Sequence, residues 1–221
     1  MYKYKAFISY RHIPFDSYIA EKLLKLIETY KKPHNISQDK RKEYWKCFRD
    51  EEEIPISSDI GKEIHYALEN SEYLIVVCSP ELLESKWCLE EISYFKKIHG
   101  GSTDNIIAVL IDGKPETAFP VSLKKTIING KECEVEPLAA EIKGNSVKDS
   151  LKKLKTKYLK IVARFLDCEY DDLIQRENRR KRKKLILFSC IAIAVLTVII
   201  IIISISFTTV NNKNKTISQQ Y

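Results

Sequence analysis

Two adjacent stretches decide the fold: the apolar run Tyr73-Leu-Ile-Val-Val-Cys78, and Ser85-Lys-Trp-Cys-Leu-Glu-Glu91 shortly after it. The first is typical of a strand that is covered on both faces of a parallel sheet. In the second, Ser85 is a favourable helix N-cap, and Trp87 and Glu91 lie one turn apart on one helix face. Open α/β folds bind ligands beside the carboxyl end of such a strand. A carboxylate held there against an aromatic ring predicts chemistry on a sugar.

The neighbouring residues Glu90 and Glu91 must be told apart. On a helix Glu90 is turned about 100° away from Glu91, and it follows Lys86 by four residues. We therefore predict that Glu90 is solvated and that Glu91 points inward. A buried carboxylate that only caps a neighbouring loop is the alternative to a catalytic role for Glu91.

Strand and helix patterns alternate through residues 3–166. We predict strands at 3–9, 43–48, 73–78, 105–111 and 135–138, of which the last has the weakest pattern. We predict helices at 15–30, 59–70, 85–99 and 147–166, and residues 114–134 fit a helix poorly. The alternation favours an α/β fold, in which a parallel sheet lies between two layers of helices.

Residues 185–207 form a run of 23 residues without a charged side chain. As a helix rising about 1.5 Å per residue, this run is long enough to cross a hydrocarbon core about 30 Å thick. A buried core helix of this kind would need a larger protein around it, and a signal peptide would lie near the N-terminus. We therefore predict one transmembrane helix, followed by a short tail at 208–221.

Much of the net charge of +7 lies directly before this run, where seven of the nine residues at 176–184 are Arg or Lys. Such clusters mark the cytoplasmic end of a membrane helix and attract anionic headgroups. We therefore predict a single-pass protein of the cell membrane with its N-terminal domain in the cytoplasm. An RNA-binding arm is the less favoured alternative, because no aromatic residues interleave with the charges to stack on bases. The lipid bilayer is an expected partner, and nucleic acid is not.

The six cysteines have no paired spacing such as C-x-x-C, so neither a metal site nor a disulfide framework is expected. Cys47 and Cys78 lie in apolar strand patterns, where cysteine behaves as a small hydrophobic residue. A G-x-x-x-x-G-K phosphate loop is missing from the sequence, which argues against an ATPase.

Several motifs, taken in order, resemble the Toll/interleukin-receptor (TIR) domains in their bacterial form. They are Ala6-Phe-Ile-Ser-Tyr-Arg11, Phe48-Arg49-Asp50 with Ile54-Pro55 at the start of the BB loop, Ile75-Val-Val-Cys-Ser-Pro80, and Ser85-x-Trp-Cys-x-x-Glu91. The resemblance spans about residues 3–166 and implies a flavodoxin-like, three-layer fold around a central parallel five-stranded sheet. The expected domains are a TIR domain at 1–166, a basic juxtamembrane neck at 167–184, the transmembrane helix at 185–207 and an extracytoplasmic tail at 208–221.

For many members, the resemblance implies cleavage of NAD+ at the nicotinamide–ribose bond, which gives nicotinamide and linear or cyclic ADP-ribose. NAD+ is then the substrate, and no cofactor is implied. Glu91 matches the catalytic glutamate of the family. Nicotinamide leaves as a neutral ring, so no general acid is needed, and one carboxylate near the ribose can stabilise the developing oxocarbenium ion. Trp87 can shield that carboxylate from water.

The residues predicted to bind substrate are Ser9, Tyr10, Arg11, Phe48, Arg49 and Trp87. Arg11 can pair with a diphosphate, and an aromatic side chain can stack on a base or on nicotinamide. A surface salt bridge is an equally good interpretation of Arg11 alone. In the family, Arg49 and Asp50 more often structure the loop than act in catalysis.

The resemblance also implies a homo-oligomer, formed through TIR–TIR contacts that include the BB loop, and a role in bacterial antiviral defence signalling. Confinement to a membrane would raise the local concentration of such domains. The alternatives are a non-catalytic adaptor acting through TIR–TIR contacts, a nucleoside deoxyribosyltransferase, and a membrane leak through gathered helices. The uncharged apolar run disfavours the leak. A phosphorelay receiver is disfavoured because Ser9-Tyr10-Arg11 stands where an acidic group is required.

Overall fold

The computed structural model describes residues 2–33, 38, 43–49, 60–128 and 130–218. The chain divides into two units, Met1–Tyr170 and Asp171–Tyr221. A five-stranded sheet, all of whose neighbouring strands are parallel, forms the centre of the first unit. The predicted α/β class and the central parallel five-stranded sheet are therefore confirmed.

The strands of this sheet are β1 (Tyr4–Ser9), β2 (Cys47–Phe48), β3 (Ser71–Cys78), β4 (Ile106–Leu110) and β7 (Ala139–Glu141), in the spatial order β2-β1-β3-β4-β7. A separate antiparallel hairpin contains β5 (Lys125–Ile128) and β6 (Lys131–Glu134). The helices are α1 (Pro14–Glu28), α2 (Ile60–Glu69), α3 (Lys86–Ile98), α4 (Pro115–Ala118), α5 (Val121–Lys124), α6 (Val147–Leu166) and α7 (Tyr170–Ser218), with a 3-10 helix at Pro80–Glu84.

Strand β3 is central because its side chains are apolar on both faces. All residues of β3 except Glu72 are buried. Both neighbouring strands pair with β3 in register, as Ser9 of β1 does with Val76 and Val109 of β4 with Val77. Burial of a branched apolar side chain contributes roughly 1.5–3 kcal/mol, so a slip of one residue would be costly. The strand predicted from Tyr73 to Cys78 is confirmed, with two further residues at its start.

Helix α3 begins and ends where its local sequence dictates. The Ser85 hydroxyl oxygen accepts a hydrogen bond from the backbone N–H of Cys88 over 3.4 Å, as expected for an N-cap. Gly100 and Gly101 follow the helix at φ angles of 64° and 82°, in the region that favours glycine. A Cβ on Gly101 would also lie 2.4 Å from Cδ1 of Ile127, so the hairpin packs against this turn.

Two predicted elements were wrong in their bounds. The fifth strand of the sheet is Ala139–Glu141 and not 135–138. Pro137 has no N–H to donate, so pairing with β4 begins only at Leu138, whose carbonyl oxygen accepts a hydrogen bond from the backbone N–H of Ala108. The second strand contains only Cys47–Phe48 instead of 43–48. Residues 114–134, which fit a single helix poorly, form the short helices α4 and α5 and then the hairpin.

The second unit is the long helix α7. The apolar part of α7 is long and apolar enough to cross a membrane, and the side chains of residues 185–205 are exposed. The preceding helix α6 has the predicted bounds Val147–Leu166 and ends at Asp167, which adopts the left-handed conformation with φ 53°. Asp59, at which the second helix is expected to begin, lies outside the described residues.

Candidate functional site

A cavity of about 570 Å³ opens beside the carboxyl ends of β1 and β3. The loop after β1, the 3-10 helix, α2 and the first turns of α3 surround it, as expected for a ligand site in an open parallel sheet. The residues that line the cavity are Tyr10, Arg11, His12, Ile64, Glu81, Glu84, Ser85, Trp87, Cys88 and Glu91.

Glu91 is the buried carboxylate of this cavity. It is 8% exposed and lies on the face of α3 that buries Cys88, Ile92 and Phe95. The Ser9 hydroxyl donates a hydrogen bond to Oε2 of Glu91 over 2.5 Å. Glu90 is exposed, so the predicted orientations of the two glutamates are confirmed.

Trp87 lines the same cavity, one turn before Glu91. Its side chain is 66% exposed, so the indole forms part of the cavity rim and leaves a large face open to solvent. An exposed aromatic face of this kind can stack on a planar ring. Substrate contact by Trp87 stays a prediction.

Arg11 is held in place by two carboxylates at the cavity wall. Its Nε donates to Oδ2 of Asp16 over 2.9 Å, and its Nη2 lies 3.6 Å from Oε2 of Glu81. Asp16 is buried, so Arg11 is more constrained than in an ordinary surface salt bridge. Burial raises the pKa of Asp16, and its bond to Arg11 opposes this effect only in part.

Tyr10 connects the cavity to the start of the BB loop. Its ring stacks on that of His12 at a centroid distance of 5.0 Å, and the guanidinium carbon of Arg49 lies 6.0 Å from the Tyr10 ring centroid. Arg49 itself is buried and is not among the described residues that line the cavity. The rest of the predicted BB loop, including Asp50, lies outside the described residues.

Phe48 belongs to the core rather than to the cavity wall. Its ring stacks on Phe7 at 5.2 Å and meets Tyr4 edge-on at the same distance. The structure therefore brings Glu91, Tyr10, Arg11 and Trp87 together around one cavity, with Ser9 directly behind Glu91, but it does not bring Phe48 to the wall.

Sequence reasoning missed Asp16 and Glu81, the two carboxylates that hold Arg11. A local signal existed for both. Pro14 and Pro80 each begin a helical turn, and an acidic residue follows within that first turn. Carboxylates are favoured there because they face the positive end of the helix dipole. Only the fold shows that both turns face Arg11.

Three other features of the described residues are weaker candidates for a functional site. No group of three or more His, Cys, Asp or Glu among them is arranged to hold a metal ion. Burial raises the pKa of the Cys47 and Cys78 thiols, so both remain protonated and are poor nucleophiles. A larger cavity of about 660 Å³ borders α4 and the hairpin, but its carboxylates are exposed.

Comparisons with known proteins point to one family. The sequence profile of the TIR domain family matches residues 7–134. A curated relative, the NAD(+) hydrolase ApTIR of Actinoplanes sp., is 27% identical over 115 residues, which are 51% of this chain but only 14% of the relative. Among solved structures, the TIR domains of the activated Roq1 resistosome that recognises the pathogen effector XopQ are 27% identical, with a TM-score of 0.40. That match covers 52% of this chain and 61% of the other.

Proposed function

Because the chain belongs to the TIR domain family, we propose that it is an NAD+ glycohydrolase with Glu91 as its catalytic carboxylate. The observation that supports this most directly is the placement of Glu91. Among the described residues that line the cavity of about 570 Å³, Glu91 is the one buried carboxylate, and it is held by the Ser9 hydroxyl beside aromatic rings and a guanidinium group. The named activity of the Actinoplanes relative supports the same reaction.

The proposed reaction needs little besides this arrangement. The bond between ribose C1′ and the nicotinamide nitrogen breaks, and its electron pair stays on that nitrogen, which neutralises the ring. The carboxylate of Glu91 stabilises the positive charge that develops on the ribose. Water then adds its oxygen to C1′ and loses a proton, or the adenine of the same substrate attacks C1′ and gives the cyclic product.

The other wall residues are suited to bind the rest of the dinucleotide. Arg11 is fixed by Asp16 and Glu81, so its guanidinium is pre-oriented to contact the diphosphate. Trp87 offers an exposed ring face to nicotinamide or to adenine. Tyr10 borders the same cavity, but it is buried and its ring is stacked on His12. Arg49 contributes by supporting Tyr10. Phe48 acts through packing beneath this wall rather than by direct contact.

The remaining parts of the proposal concern location and assembly. The chain is anchored in the cell membrane by the apolar part of α7, with the TIR domain in the cytoplasm, and the basic neck lies at the headgroups. Homo-oligomerisation through TIR contacts, including the BB loop, switches the enzyme on. The biological role is bacterial antiviral defence signalling. The length and composition of α7 and the family membership support these statements.

The test uses full-length protein reconstituted in lipid vesicles at increasing surface density. Release of nicotinamide and loss of NAD+ are followed by chromatography, and mass spectrometry identifies linear or cyclic ADP-ribose. Glu91→Gln should lower the rate by about 100-fold or more, since a preorganised electrostatic group of this kind contributes that much. Glu90→Gln is the matched control, because Glu90 is the exposed neighbour on the same helix.

The outcomes separate the two classes of function. Clustered wild-type protein that leaves NAD+ intact would favour the adaptor alternative, in which the domain signals only through TIR–TIR contacts. Equal activity in the wild-type protein and Glu91→Gln would contradict the assignment of Glu91. Activity that rises with surface density would support the switch by assembly.

A further inference from the structure

The Ser9 hydroxyl lies behind Glu91 and not in the cavity. Ser9 is 1% exposed and is not among the described residues that line the cavity. Its Oγ donates to Oε2 of Glu91 over 2.5 Å, although the two residues are 82 positions apart in the chain. A hydroxyl enclosed in this way acts on a substrate through the carboxylate that it holds.

We propose that Ser9 is a positioning residue, whose hydroxyl fixes the orientation of the Glu91 carboxylate and does not itself contact the substrate. This inference rests on the proposed function, and it assigns Ser9 a role other than the substrate binding expected from the sequence. Hydrogen bonds to ionised carboxylates are short and strong, and a distance of 2.5 Å fits such a bond.

The donor is rigid because the sheet fixes its backbone. Ser9 is the last residue of β1 and pairs with Val76 of β3, the central strand. The preceding residues Phe7 and Ile8 are fully buried on opposite faces of β1. The position of Oγ therefore depends on one χ angle and on a backbone that packing does not allow to move.

The acceptor is mounted on a second rigid element. Helix α3 is capped by Ser85 and anchored by the buried side chains of Cys88, Ile92 and Phe95. A glutamate nevertheless has three flexible χ angles between this helix and its carboxylate. Loss of the Ser9 donor removes the bond to Oε2 and leaves the carboxylate more freedom to turn toward the adjacent cavity. A misplacement of about 1 Å can cost about 100-fold in rate.

The same bond also favours the ionised form of Glu91. A donor to a carboxylate stabilises its charged state, whereas burial acts in the opposite direction. The proposed reaction needs the negative charge. Removal of the hydroxyl should therefore affect both the geometry and the pH range over which the enzyme works.

The test is Ser9→Ala in the full-length protein clustered on vesicles. We expect kcat to fall by about 10- to 100-fold with little change in KM, because the lost contact acts on the transition state. The acid limb of the pH–rate profile should move to higher pH. Threonine also carries a hydroxyl and is common in strands, so Ser9→Thr should retain most of the activity that Ser9→Ala loses.

Ser79→Ala is the matched control. Ser79 is also 1% exposed and follows β3 at the same edge of the sheet, whereas the hydroxyl that donates to Oε2 of Glu91 is that of Ser9. This variant should keep the kcat, the KM and the pH profile of the wild-type protein. A similar loss in Ser79→Ala would mean that any buried serine at this edge matters, and would overturn a specific role for Ser9.

Two kinetic results would contradict the proposal while leaving the NAD+ glycohydrolase in place. One is an unchanged kcat and acid limb in Ser9→Ala, and the other is a raised KM at unchanged kcat, which would indicate direct substrate contact. If the wild-type protein cleaves no NAD+, a double-mutant cycle of Ser9→Ala and Glu91→Leu in urea unfolding tests the contact without turnover. Non-additive effects support the contact, and additive effects overturn it.

Discussion

The two ends of strand β1 each bury a polar side chain, and they use it in opposite ways. Near the amino end, the Lys5 ammonium makes ion pairs with Glu72 at 2.7 Å and Glu43 at 3.1 Å. It also lies over three aromatic rings at 5.9, 5.5 and 5.6 Å, those of Trp45, Tyr73 and Phe165. At the carboxyl end, Ser9 holds a carboxylate that borders a cavity.

The two buried charges differ in what surrounds them. The charge of Lys5 is enclosed by opposite charges and by rings from three segments of the chain, so it ties these segments together. The charge of Glu91 is also buried, but open space lies beside it. A buried charge next to a cavity is costly for the fold, and it is useful where a ligand's charge can approach it.

The largest expected effect on stability comes from Lys5→Met. Removal of one partner from a buried pair costs about 3–5 kcal/mol, and we expect the lower end because the carboxylates are partly exposed. Their side chains are 31% exposed for Glu43 and 30% for Glu72. Urea unfolding, followed through the fluorescence of Trp45 in a Trp87→Phe background, measures the change. The exposed Lys3→Met should stay within about 0.5 kcal/mol of the wild-type protein.

The contribution of Lys5 and its partners Glu43 and Glu72 to stability should decrease at alkaline pH. Burial alone lowers the pKa of Lys5, but hydrogen bonds and charges from Glu72 and Glu43 outweigh it and raise the pKa above its usual value. The stability that Lys5 contributes is therefore complete below the unfolded-state pKa of about 10.4 and is lost as pH rises through the folded-state pKa. The difference in unfolding free energy between wild type and Lys5→Met should be constant near neutral pH and shrink under alkaline conditions. A difference that grows with pH would contradict this interpretation.

Glu91→Gln should have the opposite character to Lys5→Met, with a large loss of activity and a small change in stability. Glutamine removes a buried charge and keeps an oxygen that can accept from Ser9. We expect the unfolding free energy to remain the same or to rise by up to about 1 kcal/mol. Urea unfolding of both proteins measures this change. A loss of stability as large as that of Lys5→Met would mean that Glu91, like Lys5, contributes mainly to the stability of the fold.

The smallest expected effect concerns Asp16, the carboxylate that fixes Arg11. Its raised pKa means that the fold favours the protonated form, so stability falls as pH rises through that pKa. Asp16→Asn imitates the protonated form and should stabilise the protein at pH 7 by less than about 1 kcal/mol. The gain should vanish below the unfolded-state pKa of about 3.9. Unfolding curves at several pH values test this, and destabilisation at pH 7 would mean that the pair with Arg11 dominates.

Much of the candidate site could be predicted because its signals are local. The Ser85 cap, the spacing of Trp87 and Glu91, and the apolar run of β3 are each readable within one element. The inward orientation of Glu91 also follows from helix geometry alone. The missed residues Asp16 and Glu81 belong to different turns, and only the packing of those turns against Arg11 gives them a role.

The amino-acid sequence by itself determined the alternation of strands and helices, the N-cap of α3, the bounds of α6 and the long apolar part of α7. Hydrophobic periodicity and end signals determine these features, and both act over a few residues. Only the tertiary structure decided that Ser9 meets Glu91 and that Lys5 is surrounded by rings. Contacts between residues far apart in the chain depend on strand order and register, which a local pattern does not specify.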